Sequence, residues 1–294
     1  MTIEAMVAKA CPGSTVTDVK ERTGGQLSSV FEVQRENDEP LIVKVYKPEW
    51  AWKQAKEVHV YGLLEGVFDG EVPRVIHAEP AGDQDAFTVL TKIEGVPLSE
   101  AEPPDWQPIY VQLGKILHRM HQIPQPAYGY LVDQILEPLP DNEQYVQRQF
   151  AKKLGEFEQL GGDPALHQQI TEYVAKHTAD LAIDHAVLCH NDFHEGNILV
   201  DPQTWQVTGF IDVENAIAAD PLMDVAKTVA YSIRDNAEKF AGLEAGYGAL
   251  DPEKLALYRV YHSLELWDWF KSIGETTYLD SIAGDIAGLV SGTV

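Results

Sequence analysis

Cysteine is nearly absent from this chain: Cys11 and Cys189 are the only two. That excludes a disulfide framework and any multi-cysteine zinc site. Basic residues are scarce as well, 22 lysines and arginines against 46 aspartates and glutamates, for a formal charge of −24. Such a field repels nucleic acids and anionic membranes and attracts cations, although surface acids kept for solubility produce the same balance. No apolar run approaches the roughly 20 residues of a membrane span. Met1 to Ala10 hold no basic stretch followed by an apolar one, so no secretory signal is read. A cytoplasmic protein that binds neither nucleic acid nor membrane is the expectation. Oligomeric state is left open.

What is present is a folded chain of 294 residues with 45% hydrophobic content, enough for one large domain or two lobes. Periodicity predicts a short helix over Met1 to Ala10 and strands over Thr15 to Arg22, Val30 to Gln34 and Leu41 to Tyr46. A helix runs from Lys47 to about Leu64, and two further strands cover Arg74 to Glu79 and Ala86 to Lys92. Ile93-Glu94-Gly95-Val96-Pro97 reads as a hinge into a mostly helical remainder. Helices are expected over Gln107–His121, Glu143–Gln159, Pro164–Leu181, Met223–Arg234, Asn236–Ala245 and Pro252–Ile273.

Chemistry concentrates in His190-Asn191-Asp192-Phe193-His194-Glu195-Gly196-Asn197 and, fifteen residues later, Ile211-Asp212-Val213-Glu214. Phosphoryl transfer needs a carboxylate to accept the nucleophile's proton and oxygen ligands for Mg²⁺. Ile198–Val200 and Val207–Ile211 read as a hairpin around Asp201-Pro202-Gln203-Thr204. A turn centred between Thr204 and Trp205 places Asn197 opposite Asp212, about 5 Å apart and able to share one cation. Asp192 lies on the loop entering the hairpin, where its carboxylate can face a hydroxyl. His190, His194 and Glu195 suggest zinc instead, but no third ligand set accompanies them and the zinc-protease order is absent.

Upstream, Gly24-Gly25 can admit phosphate oxygens to backbone N–H groups, because glycine has no Cβ. Ser28 and Ser29 follow in the same loop region. Lys44 points to the face opposite Leu41, Val43 and Val45. An inward lysine is costly unless paired, and Glu57, on the helix face of Val60, Tyr61 and Leu64, is its natural partner. The pair can be purely structural; its place between a phosphate-cradling turn and a metal hairpin favours a nucleotide. On the last long helix, Tyr261, Glu265 and Asp268 share one stripe, which suits either a cationic ligand or a solvated acidic face.

These segments, with Leu117-His118-Arg119-Met120-His121 and Asp220-Pro221-Leu222-Met223-Asp224, make the chain resemble the aminoglycoside phosphotransferase family over nearly its whole length. Choline kinase and related small-molecule kinases share that protein-kinase-like fold. The resemblance implies an α+β, two-lobed fold: a nucleotide-binding N-lobe over residues 1–94, with an antiparallel sheet and one main helix, and a mostly helical C-lobe over 95–294. It implies Asp192 as catalytic base and Asn197 and Asp212 as Mg²⁺ ligands. Lys44 would contact the α- and β-phosphates of ATP and be oriented by Glu57. His190 would brace the loop, Glu214 would support the metal site, and Thr91, Lys92, Ile93 and Glu94 would line the adenine pocket. Asp220 and Asp224 read as architectural, Asp220 as a helix cap.

The departures argue against a protein substrate. His194 stands where protein kinases carry lysine, Ile-Asp-Val-Glu replaces Asp-Phe-Gly, and no Ala-Pro-Glu segment follows. Many family members have proline at the place of Glu195. The expected activity is ATP- and Mg²⁺-dependent O-phosphorylation, with GTP as a possible donor, of a small cationic acceptor such as an aminoglycoside, with antibiotic resistance as the outcome. In such enzymes the C-terminal region forms an acidic cleft, which nominates Glu265 and Asp268. Rival readings are a metabolic kinase for choline, an amino alcohol or a sugar derivative, a catalytically silent nucleotide-binding regulator, and a peptide-binding scaffold.

Overall fold

Thr2 opens the first helix, α1 (Ile3–Ala10), by accepting the Ala5 N–H at 3.3 Å, with Glu4 in the first turn and Lys9 in the last. The computed structural model describes residues 1–22, 28–82, 84–178 and 181–293. Five strands follow: β1 (Val16–Arg22), β2 (Ser28–Arg35), β3 (Asp38–Tyr46), β4 (Val75–Glu79) and β5 (Phe87–Thr91). They form an antiparallel sheet in the order β1-β2-β3-β5-β4. Alternation along β3 sends Leu41 and Val43 into a core with Met6 and Val7 of α1 and with Val33, Phe87 and Val89. Lys44 therefore faces the other way, paired in register with Val30 and Thr88.

The helix expected from Lys47 is broken in two: a 3₁₀ turn over Pro48–Trp50, then α2 (Trp52–Leu64). Proline fits the first turn because its missing N–H has no partner to lose there. Gln54 anchors α2 on the sheet by donating to Glu79 O at 2.8 Å and to Phe87 O. Beyond β5 a short strand, β6 (Val96–Pro97), is entered through Gly95 at φ +133°. A Cβ there would stand 2.7 Å from Thr208 Oγ1 and 2.9 Å from Val200 O, so only glycine fits.

The chain resolves into two compact units. The first holds Met1–Pro103, Leu131–Leu136 and Glu195–Ala216; the second holds Pro104–Tyr130, Glu137–His194 and Ile217–Val294. The second begins with α3 (Gln107–Met120) and β7 (Pro124–Gln125) and takes in β8 (Tyr128–Leu131) up to Tyr130 and β9 (Ile135–Leu139) from Glu137. Asp141 caps α4 (Asn142–Gln159) and Asp163 caps α5 (Pro164–His177), which ends earlier than its apolar pattern suggested. Next come β10 (Ala186–Cys189) and the hairpin β11 (Ile198–Val200) and β12 (Val207–Phe210), whose first strand pairs with β6 within the first unit.

Returning to the second unit, β13 (Ile217–Ala219) pairs with β10 and β8. Asp220 accepts the Leu222 N–H at 2.9 Å and caps α6 (Pro221–Thr228) as expected, but the helix stops there and a π-helical turn follows over Val229–Ile233. α7 (Ala237–Tyr247), α8 (Pro252–Ser272) and α9 (Leu279–Ser291) complete the unit. The short strands β7 to β10 and β13 and the helix α9 were not anticipated from periodicity. Among the described residues no helix is long and apolar enough to cross a membrane.

Candidate functional site

In the first unit, Lys44 is gripped by two carboxylates. Its Nζ stands 2.8 Å from Glu57 Oε1 and 3.3 Å from Asp212 Oδ1. Burial alone would push this ammonium's pKa down, yet Glu57 and Asp212 hold it well above its ordinary value. The second oxygen of Glu57 accepts the Tyr46 hydroxyl, so the glutamate is fixed from both ends. Sequence spacing paired Lys44 with Glu57; the sheet and α2 bring them together.

Asp212 follows the hairpin in the left-handed region, at φ +65°. Aspartate tolerates that conformation better than most side chains, and a non-glycine residue held there marks a position the surroundings dictate. The register differs from the expected one. Ile198 pairs with Phe210 and Leu199 with Gly209, and Ile211 N–H donates to Asn197 O at 2.9 Å, so Asn197 lies opposite Ile211, one residue before Asp212. Val200 pairs with Val207, two residues off the expected register, and a bulge between Leu199 and Val200 recovers one of the two; the short loop holds Trp205 at φ +59°. Next in the chain, Glu214 is ion-paired at 3.1 Å with Lys53. Burial, then the charge of Asp212, raises the Glu214 pKa. Lys53 itself lies over the rings of Trp50 and Trp52, 5.8 and 5.7 Å from their centroids. No role for Lys53 was apparent in sequence, because its partner lies 161 residues away.

Gly24 and Gly25 lie outside the described residues. Ser28 and Ser29 open β2, opposite Tyr46 and Val45. Thr91 ends β5, and its N–H and hydroxyl are both engaged with Arg74. Lys92 is ion-paired to Glu94 at 2.7 Å. Ile93 packs against the hairpin, where a Cβ on Gly209 would approach its Cγ2 to 3.0 Å.

In the second unit, the loop after β10 is held by its backbone. Asp224 receives the His190 N–H at 2.7 Å and the Asn191 N–H at 2.8 Å, one on each carboxylate oxygen. Asn191 is in the left-handed region, at φ +55°. Thr228 donates to Phe193 O at 2.9 Å, and the His190 ring meets that of Phe193 edge to face. Asp192 thus sits between two tethered neighbours, and His194 Nε2 lies 3.8 Å from its Oδ1. Asp224, read from sequence as architectural, is the anchor of this loop. His121 joins it at 3.2 Å from Oδ2; the His-x-x-His spacing of residues 118 and 121 was the only local hint.

The two acids of α8 differ sharply. Glu265 is committed to Lys227 at 3.1 Å and His262 at 3.2 Å, and although burial raises its pKa, these partners pull it well below the ordinary range. Asp268 is buried, and neither carboxylate oxygen has a hydrogen-bond partner among the described residues. Burial pushes its pKa up to about 7, with Lys153 opposing and Glu156 and Glu265 adding to the shift. Tyr231, on the π-helical turn, has its hydroxyl pushed up by burial and then by both Glu265 and Asp192, which puts these two acids in one electrostatic neighbourhood.

The first unit thus holds a buried lysine gripped by a helix glutamate and by the aspartate that follows a hairpin, and the second holds an aspartate on a backbone-anchored loop. The chain belongs to the phosphotransferase enzyme family, whose model matches residues 18–258. It is similar to the streptomycin 3″-kinase of Streptomyces griseus, 28% identical over 190 residues that cover 60% of this chain and 68% of that one. An aminoglycoside 3′-phosphotransferase of Streptomyces ribosidificus is 27% identical over 200 residues, covering 64% and 72%. Among solved structures, aminoglycoside phosphotransferase APH(4)-Ia, in a ternary complex with AMP-PNP and hygromycin B, superposes with TM-score 0.74 at 16% identity, covering 100% of this chain and 99% of that one. The mixed architecture, an antiparallel sheet region followed by a helical region, is that of these enzymes.

Proposed function

We propose that this protein is an ATP- and Mg²⁺-dependent O-phosphotransferase for an aminoglycoside-type acceptor, acting in the cytoplasm where ATP is supplied. The grip of Glu57 and Asp212 on Lys44 carries the reading, because a fixed, oriented ammonium is the kind of group nucleotide phosphates need. Lys44 neutralises the α- and β-phosphates, and Glu57 keeps its ammonium aimed. Asn197 and Asp212 offer amide and carboxylate oxygens, the hard donors Mg²⁺ prefers, and Asp212 Oδ1 already faces one cation in Lys44. When bound, Mg²⁺ supplies charge neutralisation at the transferring phosphoryl group. Asp192 accepts the acceptor hydroxyl's proton, His190 braces the loop, and Glu214 steadies the segment that carries Asp212. The nucleotide falls to residues 1–94, with Gly24, Gly25, Ser28 and Ser29 at its phosphates and Thr91 to Glu94 at its base; the acceptor falls to residues 95–294.

Three observations support a cationic acceptor: the relatives' names, the formal charge of −24, and the unpartnered carboxylate of Asp268. Because Lys227 already neutralises Glu265, an acceptor with a single ammonium opposite Asp268, such as choline or an amino alcohol, is the second reading. A panel of streptomycin, hygromycin B, kanamycin, choline and neutral sugars, with ATP or GTP as donor, decides the matter by nucleoside diphosphate release and a product heavier by one phosphoryl group. Turnover of neutral sugars alone would overturn the acceptor class.

A further inference from the structure

Helices α3 and α7 meet backbone to backbone. A Cβ on Gly114 would stand 2.4 Å from Leu243 O, one on Gly242 2.5 Å from Gln107 O, and one on Gly246 2.1 Å from Val111 O. Gly242 and Gly246, four residues apart, share a helix face, and their lack of side chains permits the approach. Tyr247, next in the chain, is thereby laid on His121 at the end of α3: its hydroxyl is 2.9 Å from Nδ1 and the rings meet edge to face at 5.5 Å. His121 Nε2 is 3.2 Å from Asp224 Oδ2, and the same carboxylate holds the His190 and Asn191 amides. A continuous chain of hydrogen bonds leads from Tyr247 to the two residues that precede Asp192.

The direction of these bonds follows from the groups. An ionised carboxylate only accepts, and Asp224 stays ionised because, although burial raises its pKa, the His121 bond and its other partners bring it below the ordinary value. A neutral His121 ring then carries its proton on Nε2, which leaves Nδ1 as acceptor and Tyr247 as donor. Burial pushes the Tyr247 pKa up and keeps that hydroxyl protonated. With the proton on Nδ1 instead, the ring would aim a lone pair at the carboxylate. Cys189 Sγ also falls within 4.8 Å of this cluster. Burial pushes its thiol pKa well up, and both ring nitrogens and both carboxylate oxygens are hydrogen-bonded, so a metal has no ligand set to take.

We propose that Tyr247 is a positioning residue for phosphoryl transfer: by donating to His121 Nδ1 it fixes the tautomer through which Asp224 grips the loop that carries Asp192. The effect on rate rests on the phosphotransferase reading; the hydrogen-bond relay does not. Tyr247→Phe keeps the ring and removes the donor. It lowers kcat about tenfold and leaves KM for nucleotide and acceptor within about twofold. Amide exchange at His190 and Asn191 speeds up about tenfold. In a His121→Gln background, where no tautomer is left to choose, Tyr247→Phe adds little, so the two changes are non-additive. Nitrogen NMR of the unmodified protein reads the tautomer with no substitution at all. A proton found on Nδ1, equal rate losses in both backgrounds, or unchanged exchange in Tyr247→Phe overturns the proposal. Accelerated exchange in a protein that phosphorylates no acceptor upholds the relay and removes the kinase reading.

Discussion

Lys44 Nζ lies 3.3 Å from Asp212 Oδ1, although 168 positions of chain separate them. Glu57, whose side chain is 1% exposed, is the buried half of the grip on Lys44; Asp212, 39% exposed, is the half nearer solvent. A buried ammonium tolerates this place only while a carboxylate stays with it. Glu57→Ala is therefore expected to destabilise the protein by about 3–5 kcal/mol, because Lys44 is left desolvated with one half-exposed partner. Replacing both, as Lys44→Met with Glu57→Leu, recovers most of the loss while abolishing activity. Denaturant titration of the three proteins checks this; a double variant as unstable as Glu57→Ala would show that packing, not charge, is responsible.

Asp192→Asn keeps the loop's shape and removes its proton acceptor. Turnover should fall roughly 10²–10⁴-fold with nucleotide affinity retained. Steady-state kinetics beside nucleotide titration measures both, and near-normal turnover would remove Asp192 from the role of base.

Asn197→Ala and Asp212→Ala each delete an oxygen donor. Their nucleotide affinity should require about tenfold more Mg²⁺, and chelation with EDTA should abolish the difference from the unmodified protein. Lys44→Ala should weaken nucleotide binding at every Mg²⁺ concentration. Rescue of Lys44→Ala by added Mg²⁺ would reverse the assignments.

Asp268 binds a proton more tightly folded than unfolded, with its pKa raised to about 7 from 3.8. Its contribution to stability is complete below pH 3.8 and is lost as pH rises through 7. Asp268→Asn should accordingly gain on the unmodified protein between pH 4 and 7, read from melting temperatures. An ammonium group favours the ionised carboxylate, so KM for a cationic acceptor should fall from about pH 6 to 8 and stay flat in the variant. Parallel pH profiles would dismiss Asp268 as an acceptor contact.

Lys56 is fully buried in α2, and burial, then the charge of Lys53, lowers its pKa to about 7, with Glu214 opposing. The unfolded chain binds the extra proton between about pH 7 and 10.5, so this group's contribution to stability rises with pH across that window. Lys56→Met should be more stable at neutral pH by on the order of 3 kcal/mol, with the advantage shrinking toward pH 10. Urea titrations at pH 7 and 9.5 test it; a constant gap would deny the shifted titration.

Much of the fold was legible because its signals are local. Alternation along Leu41 to Val45 placed Lys44 on the correct face, and the Asp-Pro pair at residues 220 and 221 marked a helix start that Asp220 does cap. Apart from the helix α9, the elements missed are of another kind. Strands as short as Val96–Pro97 and Ile217–Ala219 owe their extended form to the neighbours they pair with, and no periodicity can show in two or three residues. The hairpin register differs by one at Asn197 because the turn lies earlier than a centre between Thr204 and Trp205, and the bulge at Leu199 and Val200, a property of the pairing and not of either strand read alone, makes up only half of that shift.

At the candidate site the division is similar. By itself the sequence determined which reactive groups exist and how closely they follow one another: Asp192 five residues before Asn197, an inward lysine on a β-prone strand, a helix with glutamate on its apolar face. Those are matters of covalent order and strand or helix period. Only the tertiary structure decided which charges are available. It spends Glu265 on Lys227 and leaves Asp268 buried without a hydrogen bond, although the two stand three residues apart on one helix. It also lays Tyr247 on His121, 126 residues away, through glycines that let two helices touch. Desolvation and ion pairing depend on what arrives from distant parts of the chain, and a linear pattern carries no record of those arrivals.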